Sequence, residues 1–305
     1  MAATHDHSHA PTGRRTPLII ALSITALLVC VQLIGALLTS SLALLVDTAH
    51  VAADAVGLVI ALVATQLSRR PASSRHTWGL RRAEVLAALV QAVMLIAVGS
   101  VVVVEAIRRL WLPAEVPGAM LLWFGAIGLI GNLVSFVVLR LADSDNLNMR
   151  AAALEVGSDA LGSLAVMLAA VVIWTTGWGS ADSIAALLIG ALILPRAIAV
   201  LREAVNVLLE STPKGLDLER VRAHMLELPH VVAVHDLHAS QVASGLPVLT
   251  AHVVLDDKCF RDGHSVEILH QLQQCVLEHF PVSIEHSTFQ LEPASDRQDS
   301  SVWEH

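Results

Sequence analysis

The sequence predicts a multi-pass α-helical membrane protein with six transmembrane helices, followed by a small α+β domain. Three observations carry this. The 305 residues are 55% hydrophobic and 15% charged, with a mean hydropathy of +0.66, which marks an integral membrane protein. Residues 17–210 hold six apolar runs, each long enough for a bilayer. Beyond Pro213 the character changes to that of a chain in water.

Residues 1–16 are polar and read as a disordered tail. Its His5, Asp6, His7 and His9 offer weak capture of a divalent ion or no function at all. The N-terminus does not read as a cleavable signal peptide, because the apolar run from Leu18 leads at once into more membrane. Helices are expected at 17–38, 42–67, 83–107, 119–140, 150–174 and 181–205. Some connections are short, such as Thr39-Ser40-Ser41. The second and third helices are joined by a basic loop with Arg69, Arg70, Arg75, Arg81 and Arg82. Lys and Arg counted by side place both termini in the cytosol, with Arg108 and Arg109 outnumbered on the other side. The expected location is the plasma (inner) membrane. Gly125, Gly128 and Gly131 allow close helix approach.

Pro213 and Gly215 mark the boundary to a domain over residues 211–292. Asp217 to Leu228 reads as an amphipathic helix with Asp217 as cap. Val231 to Val242 and Leu246 to Leu255 read as strands joined at Ser244-Gly245. A second helix over His264 to Phe280 and a strand over Val282 to Leu291 complete an αββαβ, ferredoxin-like order with helices on one face. Residues 293–305 read as a loose tail.

Net charge is −8 with His neutral, which argues against nucleic acid as a partner. Cys30 lies in an apolar helix, while Cys259 and Cys275 lie in the polar part. The absence of CxxC spacing indicates neither a disulfide framework nor a thiolate zinc site. No HExxH or Ser-His pairing suggests an enzyme.

The chemistry concentrates in the apolar runs. Asp47, His50 and Asp54 are spaced three and then four apart, on one face of a helix. Charged groups in hydrocarbon persist only where they face a partner, an ion or water. Ser, Thr or Asn would glue helices at lower cost, so a merely structural seam is the weaker reading. Glu155 and Asp159 repeat the i, i+4 spacing in another apolar run. If the two pairs face each other, His50, Asp54, Glu155 and Asp159 offer one nitrogen and three oxygen donors to one ion, and tetrahedral N/O sites suit Zn²⁺. Empty, such a crowded set retains protons, so metal binding releases them and couples the ion to a proton gradient. Asp47, one turn away, reads as second shell or part of the ion's path.

Several separate stretches resemble the cation diffusion facilitator family. Ser41-Leu42-Ala43-Leu44-Leu45-Val46-Asp47-Thr48-Ala49-His50 with Asp54 is similar to that family's second transmembrane helix. Arg75 to Glu84 resembles its loop into the third helix, and Asn148 to Ser163 its fifth helix. Val234 to His238 and Ala251-His252-Val253 resemble its cytosolic domain. The match covers residues 17–292. It implies a homodimeric, proton-coupled exporter of divalent metal, usually zinc. It also implies a regulatory metal site lined by His235, His252 and His286, with Glu292 a weaker candidate and His264 a possible ligand of a second ion. Arg82 and Glu210 match a charge pair near the dimer interface. Zn²⁺ is then both cargo and regulator; the partners are a second copy of the chain, the ion, protons and the lipid bilayer.

Two departures stand out. Glu155 occupies the place where zinc-transporting relatives usually carry His. A carboxylate for an imidazole makes the site harder and opens it to Cd²⁺, Mn²⁺ or Fe²⁺. The basic loop matches an additional ion site only at His76, with Ser73 and Leu80 elsewhere, so no site is expected there. A membrane-anchored metal sensor without transport is the rival from another class; the intramembrane carboxylates argue against it.

Overall fold

The computed structural model describes residues 15–68, 70–142 and 147–295. The expectations for the N-terminal His residues and the last residues of the C-terminal tail lie outside this range. The chain forms two compact units, one of residues up to Ile60 with Val90–Ala199, the other of Ala61–Leu89 with the chain from Val200 onward.

Six long helices appear close to the expected boundaries. They are α1 (Arg15–Thr39), α2 (Leu42–Ser68), α3 (Ala83–Trp111), α4 (Gly118–Ala142), α5 (Leu147–Thr176) and α6 (Ser180–Leu208). Among the described residues, four of them are long and apolar enough to cross a membrane by length and composition alone, and Ser23–Thr39 of α1 is a further apolar stretch. Together with α2, interrupted by its polar seam, they make six transmembrane helices. Large apolar side chains point outward, among them Leu37, Val101, Trp123, Leu161 and Leu192. Inside the first unit the packing is by small residues, with Ala43, Ala106, Ala170 and Ala186 at essentially zero exposure. This inversion suits a solvent of lipid, where helices associate by close contact rather than by hiding apolar surface.

Buried polar groups tie the helix ends. Asp182 at the start of α6 accepts backbone N–H bonds from Leu42 (2.6 Å) and Ala43 (3.3 Å), and a short hydrogen bond from Ser41 Oγ. It thereby satisfies the orphan donors at the N-terminus of α2. The turn before α2 puts Ser40 at φ 53, and its carbonyl accepts from Arg109 at 2.7 Å. Gly118 is needed because a Cβ there would lie 2.6 Å from the Trp174 backbone nitrogen.

In the second unit, Asp217 caps α7 (Leu218–Leu226) by accepting from Glu219 N (3.1 Å) and Arg220 N (3.3 Å), as its sequence position predicts. Strands β1 (Val231–Ala243) and β2 (Leu246–Leu255) are antiparallel, and β3 (His286–Pro293) runs parallel to β2 in the order β1-β2-β3. Helix α9 (Ser265–Glu278) makes the crossover that a parallel pair requires. Its apolar face, with Ile268, Leu272 and Val276, packs with Val221, Met225, Leu249, Val253 and Leu255 into one core.

Two details differ from expectation. A short helix α8 (Lys258–Asp262) follows β2 and ends at Gly263 in the left-handed region, φ 85. The last strand starts at His286, because residues before it close the turn from α9 through a bond from Ile284 N to Val276 O (3.2 Å) with Ile284 buried.

Candidate metal sites

The first cluster lies between α2 and α5. His50 Nε2 stands 3.4 Å from Asp54 Oδ2 and 3.6 Å from Asp159 Oδ1. The spacing on α2 stacks His50 and Asp54 one turn apart, as the sequence requires. Asp54 Oδ2, Asp159 Oδ1 and His50 Nδ1 are buried without a hydrogen-bond partner. Buried polar atoms are usually paired, so two carboxylate oxygens meeting one imidazole nitrogen have the donor chemistry of a candidate cation site. The three residues offer donor atoms within 4.8 Å of one another. The other Asp54 oxygen accepts from Gln91 Nε2 at 3.2 Å, which aims Oδ2 at His50.

Glu155 lies on the same helix as Asp159 but stands apart from this trio. Its carboxylate faces the Arg196 guanidinium of α6 at 3.7 Å, and both side chains are partly exposed. Asp47 is 1% exposed, and its Oδ2 accepts from Gln32 Nε2 (3.1 Å) and Ser163 Oγ (3.0 Å). Ser163 in turn accepts from Asn132 Nδ2 at 3.2 Å. Asp47 therefore joins α1, α4 and α5 to α2 and stands outside the trio. Gln91, Arg196, Gln32 and Ser163 were not singled out by the sequence, since each acts by a contact that crosses helices.

The second cluster lies on the sheet. Register sets His235 opposite His252, and Val254 opposite Glu292. Glu292 bridges the two imidazoles, with Oε2 3.1 Å from His235 Nε2 and Oε1 2.8 Å from His252 Nδ1. All three donors fall within 4.8 Å. Burial pushes the Glu292 pKa up, but the His235 hydrogen bond and the electrostatic pull of both imidazoles outweigh it and hold the carboxyl below its ordinary value. Asp236, in the left-handed region at φ 50, adds a further carboxylate, 3.6 Å from His252 Nε2 and 2.7 Å from His238 Nε2. Its hydrogen bond with His238 holds its carboxyl below the usual carboxylate range. His286 is not brought to this group. It pairs with Val248 at the far end of β3, and its ring meets the edge of Trp78 at 5.3 Å. His264 bonds Asp262 at 2.8 Å and stands outside the cluster too. Sequence reasoning placed Glu292 below His286 and passed over Asp236, because strand register is invisible before pairing.

Arg82 and Glu210 do meet, with Nη2 to Oε1 at 2.7 Å. Both are well exposed, so the pair contributes about 0–1 kcal/mol to stability.

Comparisons with known proteins bear on this arrangement. The profile of the cation efflux transmembrane domain matches residues 18–209, and that of the cation efflux protein cytoplasmic domain matches residues 213–294. The metal cation efflux system protein CzcD of Cupriavidus metallidurans is 39% identical over 298 residues, 98% of this chain and 92% of that one. The zinc transporter ZitB of Escherichia coli is 39% identical over 297 residues, 96% of this chain and 93% of that one. A cadmium, cobalt and zinc/H⁺-K⁺ antiporter of Bacillus velezensis is 35% identical over 300 residues, 98% and 95%. The solved metal-bound C-terminal domain of the CzcD transporter matches 25% of this chain and 99% of its own, at 36% identity and a TM-score of 0.23. The chain belongs to the cation efflux family, the cation diffusion facilitators, and is a membrane transporter rather than an enzyme.

Proposed function

We propose that the protein is a homodimeric exporter in the plasma (inner) membrane that moves Zn²⁺ out of the cytosol in exchange for protons, with both termini cytosolic. The observation that carries this is the set of unpartnered oxygens of Asp54 and Asp159 converging on His50 Nε2. A divalent ion there replaces its water with two carboxylates and one neutral imidazole, leaving room for a fourth donor. Glu155 supplies that donor or stays with Arg196 while water does.

Charge decides how the site loads. Asp54, Asp159 and Glu155 carry three negative charges and Arg196 one positive. The net of two matches the ion's charge, so the loaded site is neutral. Protons arriving from outside occupy the same oxygens and release the metal. The helices then rock to return the protonated site to the cytosol. Basic residues flanking α1 and in the α2–α3 loop support the orientation. The second cluster, His235, His252 and Glu292, binds metal as a regulator, with Asp236 at its edge.

A broader cargo is the second reading. Glu155 is a hard oxygen donor near the trio, which favours Mn²⁺ or Fe²⁺ more than a two-imidazole site does. A relative named for cadmium and cobalt beside zinc extends the range to Cd²⁺. Metal-dependent proton flux in proteoliposomes, run across these ions, tests both readings. Zn²⁺-driven flux that disappears in Asp54→Ala and Asp159→Ala is expected. Undiminished flux in either variant would remove the trio from the transport path, and no flux with any metal would leave a sensor instead of a transporter.

A further inference from the structure

Helices α7 and α9 bring together a third group of metal-binding side chains. Each of His224, Cys275 and His279 presents a donor atom within 4.8 Å of the others. Cys275 and His279 are four apart at the end of α9 and share a face. His224 comes from α7, and its Nε2 is 2.9 Å from His279 Nδ1.

Four features suit an ion here. His224 Nδ1 lies 3.2 Å from Glu227 Oε2. A carboxylate on the second nitrogen is how metal-binding imidazoles are held in one tautomer, with the first nitrogen's lone pair free for the ion. The His224 ring also meets Phe280 edge-on at 5.8 Å, which fixes its orientation. His279 is the C-cap of α9, where the last carbonyls carry partial negative charge that favours a cation. The surrounding groove is lined by Asp217, Arg220 and Glu227 and opens to water, a source for a fourth ligand. Cys275 itself is 2% exposed, and burial, with the charge of Glu227, pushes its thiol up to about 11.

We propose that His224, Cys275 and His279 bind a borderline or soft divalent cation of the Zn²⁺, Cd²⁺ or Co²⁺ class, at a site distinct from His235, His252 and Glu292. Two imidazoles and a thiolate are the donors such ions select, and three protein ligands leave one open position. On binding, the Cys275 S–H bond breaks, its proton leaves to water, and the sulfur–metal bond forms. His279 moves its proton from Nδ1 to Nε2 and turns its lone pair to the ion. The ion then pins the end of α9 to α7.

The other two clusters contain only nitrogen and oxygen donors, so sulfur ligation is a private signature of this site. The probe is Co²⁺ titrated into the full-length protein in detergent, read as thiolate-to-cobalt charge-transfer absorption. The band is expected in wild type, in Cys30→Ala and in Cys259→Ala. It disappears in Cys275→Ala, and His279→Ala raises the Co²⁺ needed for half-saturation at least tenfold. Zn²⁺ should bleach it. In a Cys30→Ala/Cys259→Ala variant, Zn²⁺ should also slow alkylation of Cys275, a reading that needs no substitution at the site. No band in wild type, a band that persists in Cys275→Ala, or alkylation indifferent to Zn²⁺ overturns the proposal. The readout is binding, so it stands or falls apart from transport.

Discussion

Glu155 is the residue where sequence and neighbours pull in different directions. By sequence alone it replaces an imidazole and makes the site more anionic. The Arg196 guanidinium 3.7 Å away cancels that added charge. The prediction is that Glu155→His weakens Zn²⁺ transport even though it adds a zinc-like donor, because Arg196 then faces the ion uncompensated. Coulomb repulsion across a few ångströms in a partly screened site is about 1–3 kcal/mol, or roughly tenfold to a hundredfold in affinity. Adding Arg196→Gln should restore the balance and most of the affinity. Metal titrations of flux for the two single variants and the double variant check this. A Glu155→His protein that binds zinc as well as wild type, with no further effect of Arg196→Gln, would break the charge argument. The intrahelical pairs His50/Asp54 and Glu155/Asp159 were readable because the period of a helix fixes them. Arg196 was not readable, because nothing in a linear sequence says which helix it leans on.

At the scale of elements, the seam between α2 and α5 depends on the absence of side chains. A Cβ on Gly162 would collide with Asp47 Oδ1, and one on Gly128 would collide with the Gln32 amide. Both glycines surround the hydrogen bonds that hold Asp47. Gly162 is also about one turn from Asp159, so whatever moves it moves a member of the trio. Gly162→Ala is therefore expected to destabilise the protein by about 1–3 kcal/mol and to lower transport more than expression. Gly157→Ala on the same helix meets only ordinary contacts, the nearest being Phe136 at 3.5 Å, and should be nearly silent. Thermal unfolding in detergent and flux per inserted protein, compared between the two variants, separate these outcomes; equal behaviour would count against the seam. The six helices and the αββαβ order were legible because apolar length and period-two alternation are local properties. Helix α8 and the late start of β3 were not, since the one depends on a left-handed Gly263 after a short turn and the other on where Ile284 finds the core.

At the scale of the whole molecule, the regulatory role proposed for His235, His252 and Glu292 makes a distinct prediction about transport. A regulator shifts a conformational equilibrium only by the difference in its affinity for the two states. Linkage makes that coupling reciprocal, and a tenfold effect corresponds to about 1.4 kcal/mol. Glu292 is the residue to vary, because it bridges His235 and His252 with a hydrogen bond to each. Glu292→Gln keeps the shape and removes the charge. If the cluster is regulatory, the variant should need roughly tenfold more cytosolic metal for half-maximal flux and reach the same maximum once saturated. Asp159→Ala, by contrast, should lose flux at every concentration yet retain metal binding at His235 and His252, measured by calorimetry on the full-length protein against an Asp159→Ala/His252→Ala double variant. A loss of maximal flux in Glu292→Gln would place the cluster on the transport path itself. An unchanged metal threshold together with lost binding would mean that the bound ion stabilises the domain and tells the membrane helices nothing.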